Sequence, residues 1–355
     1  MTPTGPVAIP AALAAVAAPV EARLRSILES ERARWVAIDS DLEAPLGILT
    51  RFVVDGGKRL RPAFCHWAYV GAGGDANDPA IIDAGAAFEL LHAFALVHDD
   101  VMDGSSTRRG EPTVHLNFEA DHHSSNWNGE SRRFGEGVAI LIGDLAEVYA
   151  DRLMSTAPRA AFDIWNELKI ELNIGQFLDV LGAARGEVDL ATARRIVRYK
   201  SGKYTIERPL HVGAALAGRL EALEAPLSRY GEPLGEAFQL RDDILGTFGD
   251  SARTGKPVGD DLREGKPTPM LAIALERATG AQREVLGRVG SIDLALDEIR
   301  AIQTVFTETN ALSEVEASIT QLTGQAIAAL DSAAITNEAL EALHQLAVYV
   351  GARDV

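Results

Sequence analysis

Apolar residues recur at three- and four-residue spacing along most of this chain, while alternating Val/Ile/Thr runs bounded by turns are nearly absent. That spacing gives an α-helix one apolar face, whereas a half-buried strand needs a period of two. The segments AIIDAGAAFELLHAFALVHDDVMD from Ala80 and VAILIGDLAEVYADRLM from Val138 carry the pattern. The chain is therefore read as all-α, with ten or more helices packed in one domain over residues 1–355 and no repeat at a solenoid period. Residues 1–20 are Ala-rich but broken by prolines, with no basic segment before them, and read as a loose leader rather than a signal peptide.

Charge narrows the function. The net charge is −17, which argues against a nucleic-acid partner, since such proteins present a basic face. A phosphorylated small molecule is still compatible, because a local cluster of cations overrides the global field. Cys65 is the single cysteine, so no intrachain disulfide forms, as suits a reducing cytoplasm. No apolar run is expected to reach the roughly 18 to 20 residues that span a bilayer. Two polar stretches, 121–137 and 246–268, read as loops. His122 and His123 in the first are read as solvated loop residues rather than metal ligands.

The strongest chemical signal is His98-Asp99-Asp100-Val101-Met102-Asp103, closing an apolar helix. Asp99 and Asp103 are i and i+4, so both carboxylates lie on one face. Like charges there repel unless a cation sits between them, and hard carboxylate oxygens favour Mg²⁺. Arg108-Arg109-Gly110 follows, suited to phosphate contacts. Upstream, Asp55-Gly56-Gly57-Lys58-Arg59-Leu60-Arg61-Pro62 forms a basic turn, without the spacing of a P-loop. A second acidic cluster ends Phe238-Gln239-Leu240-Arg241-Asp242-Asp243, followed by Lys256, Asp260-Asp261 and Lys266. Tyr199-Lys200-Ser201-Gly202-Lys203-Tyr204 lies between the two. Two acidic walls, each followed by cations, fit a highly anionic substrate bridged by metal ions.

In order and spacing, GGKRLRP, LLHAFALVHDDVMD with RRG, Gly143-Asp144, YKSGKYT, FQLRDD and GKPVGDDLREGKPT resemble the trans-isoprenyl diphosphate synthase (polyprenyl synthetase) family, over about Asp55 to Thr268. The resemblance implies an antiparallel helix bundle around a central cavity, usually homodimeric, joining isopentenyl diphosphate to an allylic diphosphate. It implies about three Mg²⁺, two held by Asp99 and Asp103 and one by Asp242. Arg108, Lys200, Ser201, Gln239, Lys256 and Lys266 would contact the allylic diphosphate, with Lys200, Gln239 and Lys256 in catalytic roles. Gly57, Lys58, Arg61, His92 and Arg109 would hold isopentenyl diphosphate. Phe94 and Ala95, five and four residues before Asp99, would set product length. An aromatic followed by a small residue, with an uninterrupted aspartate motif, resembles the twenty-carbon geranylgeranyl diphosphate synthases. The farnesyl enzyme is the alternative, and a class I terpene cyclase or a non-catalytic subunit stands further off.

The pattern departs in two places. Lys200-Ser201 replaces a Lys-Thr pair and keeps the hydroxyl. Gly246 stands where a third aspartate of the second motif belongs, with Asp243, Asp250 or Asp260 as candidates to compensate. On this reading Asp242→Ala is severe and Gly246→Asp mild.

Overall fold

The computed structural model describes residues 8–185, 190–249, 258–291 and 293–353. Among them are sixteen α-helices. They are α1 (Ala11–Val36), α2 (Glu43–Val54), α3 (Leu60–Gly71), α4 (Pro79–Asp103), α5 (Val114–Ser124), α6 (Ser131–Met154), α7 (Arg159–Arg185) and α8 (Leu190–Ile196). After these come α9 (Arg208–Leu216), α10 (Leu220–Phe248), α11 (Asp260–Glu264), α12 (Pro269–Arg277), α13 (Gly280–Leu286), α14 (Leu296–Glu308), α15 (Ala311–Leu330) and α16 (Asn337–Ala352). A π-helical segment, Val197–Glu207, joins α8 to α9. The one pair of strands among the described residues, β1 (Thr107–Arg108) and β2 (Glu111–Pro112), makes a minimal antiparallel hairpin.

Helix α4 organises the bundle. Asp78 caps its start by accepting from the Ala80 amide, Pro79 occupies the first turn, and Gly104 ends it in the left-handed region at φ 65°, each a favoured terminal choice. Phe88, Leu90 and Leu91 are fully buried. The Phe88 ring meets Trp165 of α7 edge-on at 5.3 Å. Truncating such a ring costs roughly 3–5 kcal/mol. Contrary to the expectation from sequence, α4 is long and apolar enough to cross a bilayer, with mean hydropathy 1.7 over eighteen residues. Its apolarity has another use here, since 61% of that window is buried within the bundle.

Three local readings change. Residues 1–20 are not loose throughout: α1 starts at Ala11 and runs through Pro19. Ala12, Leu13, Val16, Val20 and Leu24 are buried, and that packing outweighs the backbone bond a proline removes. The stretch 121–137 is mostly the end of α5 and start of α6, because His122 is buried against Trp127 and Phe134. The stretch 246–268 likewise holds the end of α10 and all of α11. Two apolar cores meet on α10, one including its Tyr230, Leu234 and Phe238, the other its Ala237, Leu240 and Ile244.

Candidate active site

A cavity of about 670 Å³ opens between α4, α7, α10 and the turn before α3. Asp99 lines it from the end of α4 and accepts from Gln176 Nε2 of α7 at 3.0 Å. Asp100 faces elsewhere, taking Arg108 Nε and Nη2 at 2.7–2.9 Å. This bidentate pair fixes Arg108 at the cavity wall, 3.8 Å from Asp99 Oδ2. Behind Asp99, His98 Nε2 lies 3.0 Å from the Ile140 carbonyl and 3.6 Å from Asp144 Oδ1. A Cβ on Gly143 would approach that ring to 2.3 Å, so the Gly143-Asp144 pair seats α4 on α6.

The basic wall comes from two turns. Gly56 and Gly57 have φ of 108° and 101°, open to glycine and strained for other residues. Arg59 is 2% exposed and locks this turn, pairing with Glu89 and donating Nη2 to the Val53 and Val54 carbonyls. Arg109 and Gly110 form the two-residue loop of the hairpin, both at positive φ, as a tight hairpin turn requires. Arg109 Nη1 donates to the Phe52 and Asp55 carbonyls at 3.0 Å, tying one turn to the other. Lys58, Arg61, His92 and Arg109 all line the cavity. Arg61 donates to Thr205 Oγ1 and lies over the Tyr204 ring at 4.2 Å. Burial, with Arg61, Arg109, Arg108 and Arg59 nearby, holds the His92 imidazole well below its ordinary pKa. His92 is therefore a neutral hydrogen-bonding group among cations.

The opposite wall is acidic. Asp242 and Asp243 project from α10, and Gln239 donates to Asp243 Oδ1 at 2.8 Å. Burial pushes the Asp243 carboxyl up to about 8, with repulsion from Asp261 and Asp242 adding to it. Lys266 Nζ stands 3.3 Å from Asp103 Oδ2, 3.5 Å from Asp261 Oδ1 and 2.5 Å from Glu264 Oε2. Burial opposes its charge, yet Asp261, Glu264, Asp103 and Asp99 hold its pKa well above the ordinary value. One ammonium thus neutralises carboxylates from both acidic walls. Oxygen donors alone, a buried Asp243 Oδ2 without a hydrogen-bond partner and a lysine bridging the walls all fit divalent cations of the hard type. Among the described residues no three His, Cys, Asp or Glu side chains form a ready cage. Mg²⁺ takes one or two carboxylates and completes its shell with water and phosphate.

The cavity thus gathers Gly57, Lys58, Arg61, His92, Ala95, Asp99, Arg108, Arg109, Gln239, Asp242 and Lys266 from the sequence-derived set. Asp103 joins through Lys266. Phe94 is not among the lining residues; its ring packs on His98 at 4.6 Å. Lys200 and Ser201 fall on the π-helical segment, but their side chains lie outside the described residues, as do Lys256 and Asp250 entirely. At Gly246 a Cβ would lie 1.7 Å from Asp261 Oδ2, the end of a side chain, so Gly246→Asp requires the Asp261 carboxylate to swing aside. Gln176, Asp179 and Arg353 also line the cavity and were missed, and so does Asp261, which the sequence placed in the second acidic cluster without a role. Gln176 and Asp179 had a signal, polar residues three apart on α7. Arg353 had none, since it sits in a terminal segment without chemical motifs.

The polyprenyl synthetase family model matches residues 46–304. The chain belongs to that family. It is 38% identical over 234 residues to the geranylgeranyl diphosphate synthase of Mycobacterium tuberculosis, covering 64% of this chain and 61% of that one. It is 32% identical over 279 residues to the geranylfarnesyl diphosphate synthase of Aeropyrum pernix, covering 76% and 81%. Its fold matches the crystal structure of geranylgeranyl pyrophosphate synthase from Corynebacterium glutamicum, complexed with isoprenyl diphosphate and magnesium. The TM-score is 0.90 and the identity 37%, over 96% of this chain and 99% of that one. As a polyprenyl synthetase the protein is a prenyltransferase enzyme with the all-α fold.

Proposed function

We propose that the enzyme catalyses the Mg²⁺-dependent head-to-tail (1′-4) condensation of isopentenyl diphosphate with allylic diphosphates, giving a short-chain all-trans product, chiefly geranylgeranyl diphosphate. The observation that carries this is one cavity with acidic walls on α4 and α10 and a separate basic wall at Lys58, Arg61 and Arg109. Asp99, Asp103 and Asp242 would hold about three Mg²⁺, which when bound neutralise the allylic diphosphate as a leaving group. Arg108 and Lys266 bind that diphosphate, together with Lys200, Ser201 and Lys256. Gln239, with Lys200 and Lys256, orients it. Gly57, Lys58, Arg61, neutral His92 and Arg109 hold isopentenyl diphosphate. The apolar part of the cavity, with Ala95 and Leu172, excludes water from the reacting carbons. A terpene cyclase has no second diphosphate and would leave the basic wall without a use. Phe94 and Ala95 set product length.

The two cores share α10, which supports residues 1–355 as a single catalytic domain. Exposed Leu141 and Val148 on α6, with Ile170, Ile174 and Phe177 on α7, form apolar stripes on adjacent helices; Phe177 is 65% exposed. A second copy of the chain would cover them in a homodimer. A single buried cysteine is compatible with the cytoplasm. The decisive experiment incubates the purified protein with isopentenyl diphosphate, Mg²⁺ and each allylic primer in turn, and measures product length. No elongated product from any primer, or a cyclic hydrocarbon, overturns the proposal.

A further inference from the structure

The π-helical segment lies between two cavities. Its Tyr204 and Thr205 line the diphosphate cavity, while Gly202, Lys203 and Glu207 line a second one of about 770 Å³, bounded also by α8, α10 and α15. The two share no lining residue. We propose that the second cavity binds a phosphate monoester bearing free hydroxyl groups, of the size of a nucleoside monophosphate. Such a site is separate from the condensation chemistry.

Charge gives the first reason. Among the described residues the cations Arg194, Arg195, Arg198, Lys203 and Arg229 line this cavity, against the carboxylates Glu207, Glu232 and Glu236. In a chain of net charge −17 that is a local reversal of the field, as an anion site requires. Arg198 Nη2 lies 2.7 Å from Glu232 Oε1 and Arg194 Nε 3.5 Å from Glu236 Oε1. Both arginine side chains are more than half exposed, so these pairs are weak and exchange for a phosphate, which takes a guanidinium in two parallel bonds. The second reason is a missing proton. Glu207 is 4% exposed. Ser228 Oγ donates to its Oε1 at 2.9 Å and lies 3.0 Å from His211 Nε2. A serine has one proton to give, so His211 presents Nε2–H to Ser228 and keeps Nδ1 as an acceptor, 3.5 Å from Arg208 Nη1. Glu207 Oε2 is left buried without a hydrogen-bond partner, which is costly. A ligand hydroxyl supplies that donor; a bare anion does not. The remaining wall is apolar, from Pro233, Leu322, Ala328 and Ala329, and takes the body of the ligand. The frame is firm, because a Cβ on Gly235 would lie 2.7 Å from Gly202 Cα, so the π-helical segment packs backbone to backbone on α10.

The test is calorimetric titration of AMP into the full-length protein, with Mg²⁺ and inorganic pyrophosphate held in excess to occupy the first cavity. Wild type is expected to bind AMP at one site per chain. It should bind 2′,3′-dideoxy-AMP, which keeps the phosphate and loses both sugar hydroxyls, roughly 10-fold more weakly. Arg194→Gln combined with Arg198→Gln should weaken both ligands roughly 10-fold or more, with Tm unchanged. Glu207→Gln should remove most of the difference between the two ligands. If that variant fails to fold, the comparison of the two ligands on wild type and on the arginine variant still decides. The inference is overturned if AMP does not bind under these conditions, or if dideoxy-AMP or inorganic phosphate binds as tightly as AMP. It is also overturned if the paired arginine variant keeps the wild-type affinity for AMP.

Discussion

Arg353 Nη2 lies 2.6 Å from Asp242 Oδ1, and its guanidinium stacks on the Phe238 ring at 3.9 Å. The last turn of the chain thus reaches the acidic wall on α10, and Arg353 is 5% exposed. A guanidinium and a divalent cation compete for the same carboxylate. Arg353→Gln should therefore lower the Mg²⁺ concentration for half-maximal turnover several-fold. It should also cost about 1–2 kcal/mol of metal-free stability, discounted because Asp242 is 38% exposed. Mg²⁺ titration of turnover and urea unfolding in EDTA measure the two effects. A raised Mg²⁺ requirement would mean that Arg353 helps assemble the loaded site.

Asp99→Ala and Asp103→Ala should each lower turnover on the order of 10²-fold or more, a loss of several kcal/mol of transition-state stabilisation. Folding should be little affected. Asp99 is held by Gln176 and Asp103 by Lys266, and each change also relieves repulsion in the acidic cluster. Excess EDTA should abolish wild-type turnover. A variant that unfolds while its folded fraction turns over normally would make these carboxylates structural.

The helical class was legible because burial imposes its period on the sequence, as along α4. The acidic and basic turns were legible because Asp99, Asp103, Lys58 and Arg109 lie in short, compositionally unusual segments. What stayed hidden depends on distance along the chain. Asp261 comes within reach of Gly246 only after α10 and α11 have packed, and Arg353 meets Asp242 across 111 residues. The division of labour between Asp99 and Asp100 was hidden too, since it is set by how the hairpin aims Arg108. Polar stretch 121–137 misled because His122 earns its burial from Trp127 and Phe134, contacts that composition does not show.

Stability should fall on mild acidification through His211. It is 1% exposed, its Nε2 lies 3.0 Å from Ser228 Oγ, and burial, then Arg208, lowers its pKa to about 4. Glu224 opposes that shift and Lys203 adds to it. The unfolded imidazole takes up its proton near pH 6.5, before the folded one does, so the unfolded state binds more protons between the two values. Stability is therefore full above about pH 6.5 and declines below it, by about 2 kcal/mol between pH 7.5 and pH 5. Urea unfolding of wild type and His211→Gln in EDTA at both pH values isolates the effect. Equal pH dependence in the two proteins would assign the loss to other groups, such as the buried His66 and His115.

Product length offers the sharpest division between neighbouring residues. Ala95 lines the cavity one turn below Asp99, so Ala95→Phe places a ring in the path of the growing chain and should shorten the product by one or more five-carbon units. Phe94 packs on His98, one turn along α4, and His98 Nε2 meets the Ile140 carbonyl across the seam between α4 and α6. Phe94 acts as a floor only if the chain turns into that seam as it lengthens. On that route Phe94→Ala opens the seam and lengthens the product while leaving both diphosphate sites intact. If the ring serves packing alone, the same change costs roughly 3–5 kcal/mol of stability and leaves product length as it was. Product chromatography from a single primer, alongside the Tm of each variant, separates the outcomes. A folded Phe94→Ala enzyme with an unchanged product distribution would leave Ala95 as the ruler and place the chain's path wholly between α4, α7 and α10.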